Sequence, residues 1–212
     1  GFSTISVSAA PDTSGNAGGI LLNTPNLKLD DNAEINSFSD GKGNGGSIDI
    51  GTNVASMTNN SSIFFFFFEA RGGNINFNVR DGLALFNNSK ITAESSGNNP
   101  GDNGGNITIK GNPGKLNWLS LIDSKLLAQA NRGHGGVIDL YADKFTISNS
   151  QIDVSSRGGF NGSLFINSFR LQETVFPQRQ PLGGGRLLTS RCSSFSKENL
   201  SRFIITARDI LP

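Results

Sequence analysis

The sequence predicts an all-β fold, a β-solenoid of parallel strands with three short strands per coil over about six coils and an irregular C-terminal tail. Three observations lead there. A diglycine unit recurs through most of the chain, short runs of alternating apolar and polar residues follow each recurrence, and the spacers between runs are Gly, Asn, Asp and Ser. Runs broken this often are too short and too rich in breakers to be helices.

The first strand of each coil follows the glycines. Gly104 and Gly105 lead Asn106, Ile107, Thr108 and Ile109. The same order returns with Ile20, Leu21 and Leu22, with Ile48, Asp49 and Ile50, with Ile75, Asn76 and Phe77, and with Ile138, Asp139 and Leu140; a weaker copy has Leu164, Phe165 and Ile166. Apolar, polar, apolar is the period of two of a strand with one buried face. With the second glycine as origin, Gly19, Gly46, Gly73, Gly105, Gly136 and Gly162 lie 27, 27, 32, 31 and 26 residues apart, the range in which one supersecondary unit stacks on the next. These six are read as structural corners, where glycine accepts positive φ at low cost.

The second strand is Leu27, Lys28 and Leu29, then Leu83 to Leu85, Leu119 to Leu121, and Phe145, Thr146 and Ile147, with a blurred copy at 54–57. The third begins three residues after an Asn or Asp: Asn32 before Ile35, Asn60 before Ile63, Asn88 before Ile91, Asp123 before Leu126, Asn149 before Ile152. From the glycine origin that apolar residue falls at 16, 17, 18, 21 and 16, so the added length sits in loops between strands. A solenoid tolerates such insertions because each coil touches only its neighbours. Strands stacked about 4.8 Å apart would align the inward Ile, Leu, Val and Phe in continuous rows, giving a body roughly 30 Å long with open ends that need cover.

Residues 1–167 are expected to form the repeats. Residues 1–10 already resemble a third strand through Ile5, Val7 and Ala9, so the chain is expected to begin mid-coil, as part of a longer protein with any export signal upstream. Residues 168–212 are expected to be a linker and capping segment. The glycine rhythm stops at Phe169, Pro177, Pro181 and Gly183 to Gly185 form the linker, and 202–208 read as a terminal strand that returns over an open coil end.

Charge narrows the function classes. Eighteen Lys and Arg against 17 Asp and Glu leave a net charge of +1, which gives nucleic acid no footprint. The late arginines, Arg170, Arg179, Arg186, Arg191, Arg202 and Arg208, read as solvated surface. Cys192 is alone and cannot form an intramolecular disulfide. No window approaches the ~18 apolar residues of a membrane-spanning segment.

Two features are candidates for surface recognition. In the run 64–68 every other phenylalanine should face outward, so that Phe64 and Phe66 make either a local apolar patch against a neighbouring loop or an exposed aromatic ladder for sugar or a partner. Trp118, at the end of the second of two long insertions, 95–103 and 110–118, serves either as a lid over its coil or as a platform. Catalysis is not expected, although β-helices also host polysaccharide lyases and hydrolases. Those need convergent carboxylates. The outward first-strand set is Leu21, Asp49, Asn76, Thr108, Asp139 and Phe165, with its two aspartates three coils, roughly 14 Å, apart. His134, the single histidine, lies in a corner; no metal or other cofactor is expected, and the Gly and Asp of corners such as 40–43 and Asp102 read as turn chemistry rather than calcium ligands.

Gly104 to Ile109, the leucine strand at Leu83 to Leu85, and Asn88, Ser89, Lys90, Ile91, Thr92 and Ala93 resemble the repeats of filamentous haemagglutinin-like exoproteins of two-partner secretion systems. The closing Ser201 to Pro212, preceded by Cys192, is similar to the terminal segment of one branch, in which Ala207, Asp209 and Ile210 stand where that segment has glycines. The resemblance implies a right-handed parallel β-helix. It further implies secretion through an outer-membrane transporter recognised by an N-terminal domain that no stretch of this sequence matches, and an extracellular or cell-surface life as an adhesin or structural stalk, with surface glycans or matrix as partners.

Overall fold

The computed structural model describes residues 3–9, 17–39, 45–67, 72–111, 114, 116–173 and 204–206. Within them the secondary structure is strand alone, and every strand pairing is parallel. One sheet stacks β2 (Ile20–Leu29), β4 (Ser47–Met57), β6 (Asn74–Leu85), β8 (Asn106–Lys110) alongside β9 (Leu116–Ile122), β11 (Val137–Ser148) and β13 (Ser163–Glu173) in chain order. The other stacks β1 (Thr4–Ala9), β3 (Glu34–Ser39), β5 (Ser62–Phe67), β7 (Lys90–Thr92), β10 (Lys125–Leu127), β12 (Gln151–Asp153) and β14 (Ile204–Thr206). The chain alternates between the sheets, so five closed turns, from β2 with β3 to β11 with β12, lie between the part-turns β1 and β13. This is the β-solenoid the sequence predicts.

The expected first and second strands are one hydrogen-bonded strand in most coils. In β4, Ile48, Ile50 and Thr52 face inward, two outward residues follow at Asn53 and Val54, and Ala55 and Met57 then face inward. Two outward residues in succession reverse the alternation and bend the chain around the core, and the pairing with β6 slips by one residue there, between Thr52 and Val54, before it resumes. Asp143 and Lys144 make the same bend in β11. Three apolar faces per coil therefore survive, but they are built from two strands rather than three. Only in the coil carrying the 111–115 insertion does the ladder break into separate strands, β8 and β9.

Register aligns the inner rows. Ile20, Ile48, Ile75, Ile107 and Ile138 pair in succession on the first sheet, and Ile35, Ile63, Ile91, Leu126 and Ile152 on the second. Apart from Ile20 at the end of its row, each is fully buried. Removing such a side chain from water contributes about 1.5–3 kcal/mol, which no coil could obtain alone.

The turn from first sheet to second is made by the Asn and Asp that precede each third strand. Asn32, Asn60 and Asn88 each have φ 63, Asp123 φ 50 and Asn149 φ 45, the left-handed region that Asn and Asp tolerate better than other side chains. Their amides also join the coils, since Asn88 Nδ2 donates to Asn60 Oδ1 at 2.7 Å and Asn87 Nδ2 to Asn59 Oδ1 at 3.1 Å. The serine that follows is buried and closes its own corner: Ser61 Oγ donates to Thr58 O at 2.6 Å and Ser89 Oγ to Phe86 O at 2.7 Å.

The glycine column has a cause other than φ. Among the described glycines only Gly114 has positive φ. The column residues are glycine because the backbones approach too closely for a Cβ: one on Gly46 would lie 2.2 Å from Gly18 O, on Gly73 2.5 Å from Gly46 O, and on Gly162 1.8 Å from Gly136 O. The first step of the column is also displaced by one residue from the spacing the sequence suggests. Ile20 pairs with Ile48, so Gly18 stands against Gly46, and Gly19 meets Ser47 instead.

The ladder also runs past residue 167, the expected limit of the repeats. β13 pairs with β11 as far as Glu173, because backbone pairing continues where the glycine rhythm has ended. Of the closing segment, β14 is described, and Ile204, Ile205 and Thr206 pair with Gln151, Ile152 and Asp153 at the end of the second sheet. The expected linker, Cys192, Phe68 and the 40–43 corner lie outside the described residues. No helix among the described residues is long and apolar enough to cross a membrane.

Candidate recognition face

The inward alternation of the second sheet does not stop with its short strands. Ala93, Ala128 and Val154 are buried next, and then Ser95, Ala130 and Ser156, joined by single parallel bridges. This continuation turns Glu94, Gln129 and Ser155 outward, one above another, while Ser95 N–H donates to Gln129 O at 3.0 Å and Ala130 N–H to Ser155 O at 3.1 Å. With Ser96, Asn131 and Arg157, and with Phe65 behind them, they line a groove of about 450 Å³. Buried Asp153 supports it from one side: Oδ2 accepts from Gln129 Nε2 at 2.7 Å and Gln151 Nε2 at 3.1 Å, and Oδ1 accepts the Ser155 N–H at 2.8 Å.

Burial pushes the Glu94 carboxyl above the ordinary glutamate range; Lys90 and Lys125 oppose the rise and Asp153 adds to it. Lys90 Nζ also lies 5.9 Å from the centroid of the Phe64 ring, a cation–π contact on the same face. Phe64 is half-buried and pairs in register with Thr92, whose hydroxyl is buried without a hydrogen-bond partner among the described residues. Phe65, between the two expected ladder positions, points into the core. Phe66 pairs through its backbone with Phe38, and its side chain lies outside the described residues.

Trp118 belongs to the other sheet, so the structure does not bring it into one ladder with Phe64. It is 36% exposed and lies over Gly82, where a Cβ would fall 2.0 Å from Trp118 Cε2. The missing side chain makes the seat for the indole, and Lys144 flanks it in register. A second hollow, bordered by Asn23, Gly51, Asn78 and Arg80, lies over the bend of the same sheet. Of the glycine positions, all but Gly19 stand in the close-packed column, and none lines the groove.

No protein-family model, curated protein or solved structure matches the chain. Function therefore rests on the residues and their geometry.

Leu21, Asp49, Asn76, Thr108, Asp139 and Phe165 stand in register as the expected outward set. Asp49 is engaged structurally, accepting from Asn76 Nδ2 at 2.7 Å and Ser47 Oγ at 2.6 Å. His134 is pinned in its corner: its ring stacks on Phe160 with centroids 5.2 Å apart, its Nδ1 accepts the Phe160 N–H at 3.0 Å, and its own N–H donates to Asn103 Oδ1 at 2.8 Å. Asp102 accepts both the backbone and side-chain N–H of Asn99, at 2.8 and 3.0 Å. Among the described residues no group of three or more His, Cys, Asp or Glu could hold a metal ion.

Glu94, Gln129 and Arg157 do not emerge from motif reading. A signal for them exists in the sequence, because Ala93, Ala128 and Val154 and then Ser95, Ala130 and Ser156 continue the period of two beyond each third strand with small inward residues. Small residues give weak hydrophobic contrast, which hides the extension.

Proposed function

We propose that the chain is a non-catalytic, adhesin-like β-solenoid that acts as a stiff stalk at the cell surface or outside the cell, exported by an outer-membrane transporter of the two-partner type. The observation that supports it is the parallel stacking of both sheets coil on coil, with the inner rows in register through successive turns despite a one-residue slip between Thr52 and Val54. Each coil offers the next an equivalent ladder and the same inner rows, so the architecture gains length by addition and keeps its stiffness. The resemblance of the repeats to haemagglutinin-like exoproteins supplies the cellular setting.

The test is protease shaving of intact producing cells, probed with an antibody to 116–173, with and without the transporter gene. Surface exposure that depends on the transporter is expected; signal found solely in the cytoplasmic fraction would sink the export reading. Turnover of polygalacturonate or alginate by the purified chain would sink the non-catalytic reading.

A second reading, in which this segment itself binds saccharide or matrix, draws on the second sheet's outer face. There the half-buried Phe64, Lys90 above its ring and the polar groove lie on one surface. Glycan-array binding lost in Phe64→Ser supports it.

A further inference from the structure

The groove beyond the second sheet holds polar groups that are fixed in place yet have hydrogen-bonding capacity left over. Gln129 Nε2 donates to Asp153 at 2.7 Å and Ser155 at 3.3 Å, while its Oε1 accepts from no described residue. Asn131 is arranged alike, with Nδ2 donating to Asn98 Oδ1 at 3.0 Å and its backbone N–H to Ser95 O at 3.1 Å, and with Oδ1 open. Arg157 is anchored by its backbone N–H to Ala130 O at 3.2 Å, and its guanidinium pairs with no described carboxylate. Glu94 stands two coils away at the other end, without a hydrogen bond to any described residue.

Two amide oxygens held by their own N–H groups are acceptors for hydroxyl donors. An exposed guanidinium with no anion matches a planar carboxylate through two parallel hydrogen bonds. The volume, about 450 Å³, falls within the range of small-ligand sites.

We propose that this groove binds an acidic saccharide of the uronic acid type, with its carboxylate on Arg157 and its hydroxyls on the amide oxygens of Gln129 and Asn131. The inference rests on the second reading above, that this segment itself binds saccharide. Charge sets the direction of the ligand: ionised Glu94 repels a carboxylate, which leaves the Arg157 end for the acid group and the Glu94 end for hydroxyls. A neutral sugar would leave the guanidinium without an anion and lose the charge-assisted contact.

The experiment is titration of the purified chain, by calorimetry and amide chemical shifts, with tri-galacturonate and with its neutral counterpart galactotriose. Tri-galacturonate should bind at least about tenfold more tightly, a ratio equivalent to one charge-assisted contact. Arg157→Gln should bring that ratio to about one without changing the unfolding temperature, since the side chain is exposed and makes no described contact. Lys144→Gln, a cation on the first sheet outside the groove, should leave the ratio unchanged. Equal affinity for the two saccharides, or an acid preference that survives Arg157→Gln, overturns this inference and leaves the second reading standing. Failure of both saccharides to bind overturns this inference, and a blank glycan array beside it overturns the second reading as well.

Discussion

A Cβ placed on Gly136 would stand 1.8 Å from the carbonyl oxygen of Gly105 in the neighbouring coil. The obstruction is backbone on backbone, so no rotamer change relieves it. Gly136→Ala should therefore reach or exceed the upper end of the about 1–3 kcal/mol typical of overpacking. Gly101, with nothing within 4 Å of an added Cβ and no positive φ, is the control: Gly101→Ala should be neutral. Urea unfolding followed by circular dichroism checks both, and equal losses at the two sites would show that the coils do not stack at the glycine column.

Asn88 combines a left-handed backbone, φ 63, with an amide bond to Asn60 in the adjacent coil. Asn88→Ala should lose both, about 1–2 kcal/mol for the backbone and about 1 kcal/mol for the hydrogen bond. Asn88→Gly should lose the hydrogen bond alone and be the milder variant. The reverse order in denaturant midpoints would remove the conformational argument for Asn at these corners.

Phe64 and Phe65 are adjacent and face opposite ways. Phe65→Ala should destabilise the protein by about 3–5 kcal/mol, as for a buried aromatic, because Phe65 is 2% exposed. Phe64→Ala should cost less, about 1–2 kcal/mol, because Phe64 is only half-buried and makes one cation–π contact. A larger loss at Phe64 would mean that β5 is turned over, since a one-residue slip exchanges the two faces of a strand.

Two carboxylates bend the pH dependence of stability in opposite directions. Burial raises Glu94 above its ordinary 4.5, so the native state holds that proton more tightly; the stability it contributes is complete below 4.5 and is lost as pH rises through the raised value. Asp30 is lowered from 3.8 to about 2 by the Thr58 hydroxyl and then by Lys28, so its contribution is present above 3.8 and is lost as pH falls towards 2. Glu94→Gln should raise the unfolding temperature at neutral pH and change nothing below pH 4.5. Asp30→Asn should lower the unfolding temperature above pH 3.8 and change little near pH 2, flattening the acid limb, with an effect reduced by added salt because Asp30 is solvent-accessible. Melting curves from pH 2 to 8 separate the two.

The diglycine spacing, the isoleucines with a period of two and the Asn or Asp before each third strand determine by themselves that this chain coils, where its core faces point and which residues make its corners. Those signals are local, repeated and strongly apolar against polar, so one sequence suffices to read them. Register and crowding were decided by the tertiary structure. That Gly18 and not Gly19 stands against Gly46, that the column glycines supply room instead of positive φ, and that first and second strands merge through a bend at Asn53 and Val54 all depend on how one coil sits on another. The groove belongs with them, because Glu94, Gln129 and Arg157 come from three successive coils and become neighbours only through parallel stacking. The physical reason is the reach of the forces: alternation and turn preference act within a few residues, whereas a Cβ clash or a shared groove exists only between residues that the fold has brought together from about 30 positions apart.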